Sequence, residues 1–121
     1  MEDKKYNGYK NYETWSIALF IDNEQHLQEE VLAQARELEG YDFAKWLKDF
    51  TYDFLGIEDL NIYQQQMLNA SLDEVDFREL AILFKENAKE MEAKEWARQH
   101  IAVALYGIVI LIFDSFFFLI I

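Results

Sequence analysis

Short polar breaks divide the chain into stretches where large apolar side chains return every three or four residues, the spacing of one helix face. Asn11 is suited to cap the first stretch, with Glu13 in the opening turn where the helix dipole favours an anion. Trp15, Ala18, Leu19 and Asp22 follow in helical register. Ile17, Phe20 and Ile21 make this helix apolar nearly all round, which predicts burial on more than one side. Leu27, Val31, Ala35 and Leu38 predict a second helix, with Gly40 in the position of a C′ glycine. Asp42 is expected to cap a third helix, with Phe43, Trp46, Leu47, Phe50 and Phe54 on one stripe and Gly56 closing it. After a connector at 57–61, a short fourth helix is expected to turn Ile62, Met67 and Leu68 inward. Asp76 and Glu79, with Val75 and Leu80 spaced as a hydrophobic staple, mark the start of a fifth. Phe77, Leu80, Ala81, Phe84, Ala88 and Met91 carry that helix onward.

The pattern thus predicts an all-α fold, a small bundle of four to five helices with a C-terminal hydrophobic helix. Residues 1–10 read as a flexible lead-in, 11–84 as an acidic helical domain, 85–100 as a charged helical stalk and 101–121 as a hydrophobic anchor or core helix. With no Pro in the chain and no Gly between 56 and 107, one helix can run from Phe77 to the end. The alternative is a surface helix that turns near Gln99–His100.

Residues 101–121, IAVALYGIVILIFDSFFFLII, hold 15 Leu, Ile, Val or Phe and one ionisable side chain, Asp114. Twenty-one helical residues reach roughly 31 Å, close to the hydrocarbon thickness of a bilayer. Each large apolar residue favours insertion by about 0.3–0.6 kcal/mol, against about 2.5–3.5 kcal/mol for one Asp, so the apolar total wins. The expectation is a membrane span in which Asp114 is an intramembrane polar residue. Arg98 and His100 precede it, which would keep the preceding domain on the cytoplasmic side. Burial of the segment in the protein's own core, or in an oligomer, is the competing reading and would make the protein cytoplasmic. A buried strand over 116–121 is a further one.

Composition narrows the partners. The chain carries a formal net charge of −12, nearly all of it before residue 101, which disfavours direct nucleic-acid binding and adsorption to anionic lipid. Such charge suits either solubility alone or contact with a basic partner surface. There is no Cys, hence no disulfide and no thiolate metal site. The first ten residues lack the apolar run of a secretory signal, so membrane delivery is expected to depend on 101–121.

Catalytic chemistry is thinly represented. His26 with Glu29 and Glu30 is at best a partial metal set, and a solvated helix face is the simpler account; no metal, cofactor or catalytic residue is assigned. Ser16, Ser71 and Ser115 lie in no nucleophile-elbow context, and the four glycines form no phosphate-binding loop. Binding residues are better represented. Tyr6, Tyr9, Tyr12 and Trp15 form an aromatic group suited to an interface, although a core position for Trp15 is the plainer reading. Glu29, Glu30, Glu37, Glu86 and Glu90 form the candidate acidic face, which could imitate a phosphate row in the basic groove of a DNA-binding protein.

The segment Asn11–Asn23, NYETWSIALFIDN, resembles the opening NYETWNVALWIDN of a family of small, mostly uncharacterised proteins of bacteriophages and some bacteria. Weaker similarity runs through Ala44–Phe50 and Leu68–Ala81, and the whole resemblance spans about residues 8–85. It implies an accessory protein of mobile elements that binds and interferes with a host factor, and it transfers no catalytic residue. The expectation is therefore a non-enzymatic phage-type protein that inhibits or modulates a host defence protein through its acidic surface. The alternative is a tail-anchored assembly protein whose hydrophobic helix binds partner helices in the bilayer.

Overall fold

The computed structural model describes residues Tyr6–Ile120, and among them the all-α expectation holds. Five helices form: α1 (Tyr12–Asn23), α2 (Gln25–Glu37), α3 (Gly40–Leu55), α4 (Ile62–Asp73) and α5 (Phe77–Ile120), with a single 3-10 turn at Ile57–Asp59. They divide into two compact units, Met1–Ala88 and Lys89–Ile121.

Within the first unit, α1 packs on α2 and α2 on α3, and the 3-10 turn lies against α4. The core is built from Ile21 of α1, Leu27 and Val31 of α2, Phe43 and Leu47 of α3, and Leu80 and Phe84 of α5. Burying such a side chain contributes about 1.5–3 kcal/mol each, enough to hold a bundle whose polar faces contribute little. In α5 the core stripe is Phe77, Leu80, Ala81, Phe84 and Ala88; Met91, next in register, is exposed. The stripe stops where the first unit stops.

Three sequence expectations need correction. In α1, expected to be buried on more than one side, the buried residues are Thr14, Ala18 and Ile21, a single face. A polar threonine takes the centre, and Leu19 and Phe20 are left partly in water. In α3 the cap is Glu39 and Asp42 lies inside the first turn. Gly40 adopts φ +27°, a value that suits glycine, and starts α3 itself instead of following α2 as a C′ residue; only Leu38 and Glu39 separate the two helices. In α4, Ile62 and Met67 are exposed, Leu68 is half-buried and Leu72 is the buried residue. The Asn61–Gln64 capping box sets where α4 begins, and its contacts with the rest of the core fall near its C-terminal end.

The helix ends otherwise follow local chemistry. Asn11 Oδ1 accepts from the Thr14 amide at 2.9 Å, and Gly56 ends α3 in the left-handed conformation (φ +61°, ψ +40°). Tyr6 and Tyr9, within the stretch read as a lead-in, exchange both backbone hydrogen bonds at 3.0 and 2.7 Å. Asn7 and Gly8 between them both have positive φ, the signature of an Asn-Gly type I′ turn. Met1–Lys5 and Ile121 lie outside the described residues.

The second unit is the remainder of α5. No turn occurs at Gln99–His100; the helix is continuous to Ile120. Ion pairs Glu90–Lys94 (3.3 Å) and Glu95–Arg98 (3.2 Å) span successive turns, each worth only a few tenths of a kcal/mol.

Candidate functional site

The Asn-Tyr-Glu-Thr-Trp string divides its work between two sides of α1. Asn11 and Thr14 tie the start of α1 to the start of α5. Thr14, fully buried, donates its hydroxyl to Asn11 Oδ1 at 2.6 Å and accepts the Asp76 amide at 3.0 Å. Asn11 Nδ2 donates to the Glu74 carbonyl at 2.7 Å. Asp76 caps α5 by accepting the Glu79 amide at 3.0 Å, while the Glu79 carboxylate accepts the Lys10 amide at 2.9 Å. The helix cap, the motif and residue 10 thus form one hydrogen-bonded corner.

The aromatic members face outward. Tyr6, Tyr12 and Trp15 form a triangle with ring centroids 5.0–5.7 Å apart, edge-on or tilted. Tyr6 and Tyr12 are exposed and Trp15 is half-buried, so Trp15 is not a core residue. Tyr9 is separate from the triangle and packs against the core. Burial, and then the nearby Asp22 carboxylate, raise the Tyr9 phenol above its ordinary value; burial likewise raises the Asp22 carboxyl.

The five acidic candidates lie on two helices, α2 and α5. All are exposed. Glu29, Glu30 and Glu37 lie on α2, with Glu29 accepting from Gln25 at 3.0 Å. Glu86 belongs to the first unit, and Glu90, paired with Lys94, to the second.

Lys85 is a residue that sequence reasoning placed in the stalk. Its ammonium donates to the carbonyls of Ala35 (2.8 Å) and Leu38, lies 5.8 Å from the Phe43 ring centre and is 3.9 Å from Glu39. It therefore closes the free carbonyl end of α2 from α5. A lysine inside a run of Lys and Glu carries no local signal of such a role.

A shallow cleft of about 390 Å³ lies along α4, lined by Leu60, Tyr63, Gln64, Met67, Leu68 and Ser71. Tyr63 is its sole titratable side chain. His26 is exposed and 4.0 Å from Glu24. Among the described residues no three His, Cys, Asp or Glu side chains are grouped to hold a metal ion.

The apolar end of α5 exposes a continuous run of large hydrophobic side chains. Its most apolar 18-residue window has a mean hydropathy of 2.5, and none of it is buried. The helix is long and apolar enough to cross a membrane. Just before the apolar run, Trp96 and His100 stack at 4.0 Å, and His100 Nδ1 lies 2.8 Å from the Trp96 carbonyl oxygen. Asp114 is exposed within the run.

The chain belongs to a family of unknown function (DUF7249), which it matches over residues 2–96. The match is longer at both ends than the resemblance read from the motifs and includes the first turns beyond Ala88, while the apolar run lies outside it. No curated protein and no solved structure matches the chain.

Proposed function

We propose that the chain is a non-enzymatic accessory protein held at a membrane by the apolar end of α5, its helical domain acting by contact with a basic partner on the cytoplasmic side. The observation that carries this is the uncovered apolar helix: a run that holds 15 Leu, Ile, Val or Phe has a strong thermodynamic reason to leave water, and its most apolar window has no cover from its own chain. Trp96, His100 and Arg98 stand where the aromatic and basic flank of a span belongs, on the side facing the domain. The domain's exposed acids, Glu29, Glu30 and Glu37 on α2, suit a basic surface more than lipid or nucleic acid.

The resemblance of NYETWSIALFIDN to phage-type proteins supports the finer reading, an inhibitor or modulator of a host defence protein. A second reading, that α5 itself binds partner helices in the bilayer, is favoured by Asp114.

Fractionation of expressing cells with a carbonate wash tests the anchor. Retention in the washed membrane is expected, and recovery in the soluble fraction would overturn it. Capture of partners at low and high salt tests the acidic contact. A partner lost at high salt supports it, and one retained regardless of salt argues for the second reading.

A further inference from the structure

One stripe of α1 carries both an aromatic surface and a charge that its own chain leaves unanswered. Tyr12, Trp15, Leu19 and Asp22 recur at three, four and three residues, on a different face from the buried Thr14, Ala18 and Ile21. Tyr6 joins them from the Asn7–Gly8 turn, its ring 5.2 Å from Tyr12 and 5.0 Å from Trp15. Tyr6, Tyr12 and Leu19 are exposed and Trp15 is half-buried. The Tyr6–Tyr9 hydrogen bonds fix the turn, and the Asn11–Thr14–Asp76 network fixes the start of α1. Aromatic side chains already held in place lose little freedom when covered, which suits a binding anchor.

Asp22 ends the stripe two turns beyond Trp15. Among the described residues it has neither a hydrogen bond nor an ion pair, and α1 contains no Lys or Arg. Its carboxyl is partly withdrawn from water and stands in the last turn of α1, where the helix dipole disfavours an anion. A cation supplied from outside offsets both costs, and a pair shielded from water is stronger than one at the open surface.

We propose that this stripe receives a basic segment of the partner protein, with an arginine on Asp22 and a large apolar side chain on the Tyr6–Tyr12–Trp15 triangle. The inference rests on the basic-partner reading above and moves the main contact from the α2 acids to α1. Charge complementarity selects the occupant. A second copy, with the same net charge of −12, and anionic lipid are both repelled by an unpaired acid, whereas a planar guanidinium meets a carboxylate with two parallel hydrogen bonds. Spacing sets the form of the segment. Trp15 and Asp22 are seven residues apart, roughly 10 Å along the helix, which is the span of about three residues of extended chain. The segment therefore carries Arg and a large apolar residue three positions apart.

The probe is a short dye-labelled peptide of Ala and Ser with Arg and Phe at that spacing, added to the full-length protein in uncharged detergent micelles. Binding is read from the dye's anisotropy, and its place from the indole N–H signals of Trp15, Trp46 and Trp96, each assigned with a Trp→Phe variant. A saturable shift of the Trp15 signal is expected, with Trp46 and Trp96 unmoved. Asp22→Asn, and citrulline in place of the peptide's Arg, each weaken binding about tenfold. Glu29→Gln, Glu30→Gln and Glu37→Gln together change it by less than about twofold. No Trp15 shift at millimolar peptide, or an unaffected Asp22→Asn variant, would overturn the α1 site. Binding that survives Asp22→Asn and is lost with the three α2 substitutions would overturn that site and keep the basic-partner reading. Equal binding of the citrulline peptide would overturn both.

Discussion

Thr14 shows how much one hydroxyl can hold. It is buried, and its oxygen both donates to the Asn11 side chain and receives the amide of Asp76. Thr14→Val keeps the shape and leaves the Asp76 amide without its partner, a loss of about 1–3 kcal/mol. For a unit of this size that lowers the Tm by about 10 °C, measured by near-ultraviolet circular dichroism, and Thr14→Ser restores most of it. Asp22 acts in the opposite sense. Loss of solvent raises its carboxyl pKa, so the folded protein binds that proton more readily than the unfolded chain. The contribution to stability is greatest at acid pH, where Asp22 is protonated, and is lost as the pH rises through the raised pKa. At neutral pH its charge also sits near the C-terminal end of α1, against the helix dipole. Asp22→Asn should therefore raise the Tm at pH 7 by about 1–3 °C, with the gain vanishing near pH 3; Asp22 keeps much of its surface in water, so the effect is small.

At the scale of elements, α5 does two different jobs along one uninterrupted helix. Its first three turns present Phe77, Leu80, Ala81, Phe84 and Ala88 to the core and send Lys85 to the open end of α2. Lys85→Met keeps the apolar stem and removes the donors, at a cost of about 1.5–3 kcal/mol for hydrogen bonds from a charged group. Loss of hydrogen-exchange protection in the last turn of α2, ahead of α1, is the expected signature. Beyond Ala88 the apolar stripe ends and good helix formers with ion pairs on successive turns carry the helix. The existence of all five helices was legible in the sequence, because long periodic segments and caps such as Asn11, Gly56 and Asp76 are local signals. The inward face of α4 was not. Its apolar residues are distributed around the helix, so the choice of Leu72 over Ile62 and Met67 depends on what packs beside it.

For the whole molecule, the two units separate the chain's two solubilities. The first has its own buried core and nearly all of the binding candidates, and the second carries the exposed apolar run. Deletion of residues 101–121 should therefore leave the Tm of the remaining protein within about 3 °C, since no core residue is lost, and move it to the soluble fraction. A fall of more than about 10 °C would show that the apolar run supports the core after all.

What the amino-acid order determines by itself is what local physics can read: helical periodicity, helix caps, a negative charge concentrated before residue 101, and an apolar run of membrane length. Tertiary structure decides which of several plausible faces turns inward. It makes Thr14, not Trp15, the buried member of the Asn-Tyr-Glu-Thr-Trp string, and Lys85 a helix cap rather than a surface charge. Both depend on partners 47–62 residues away, whose hydrogen bonds exist only once the helices have packed.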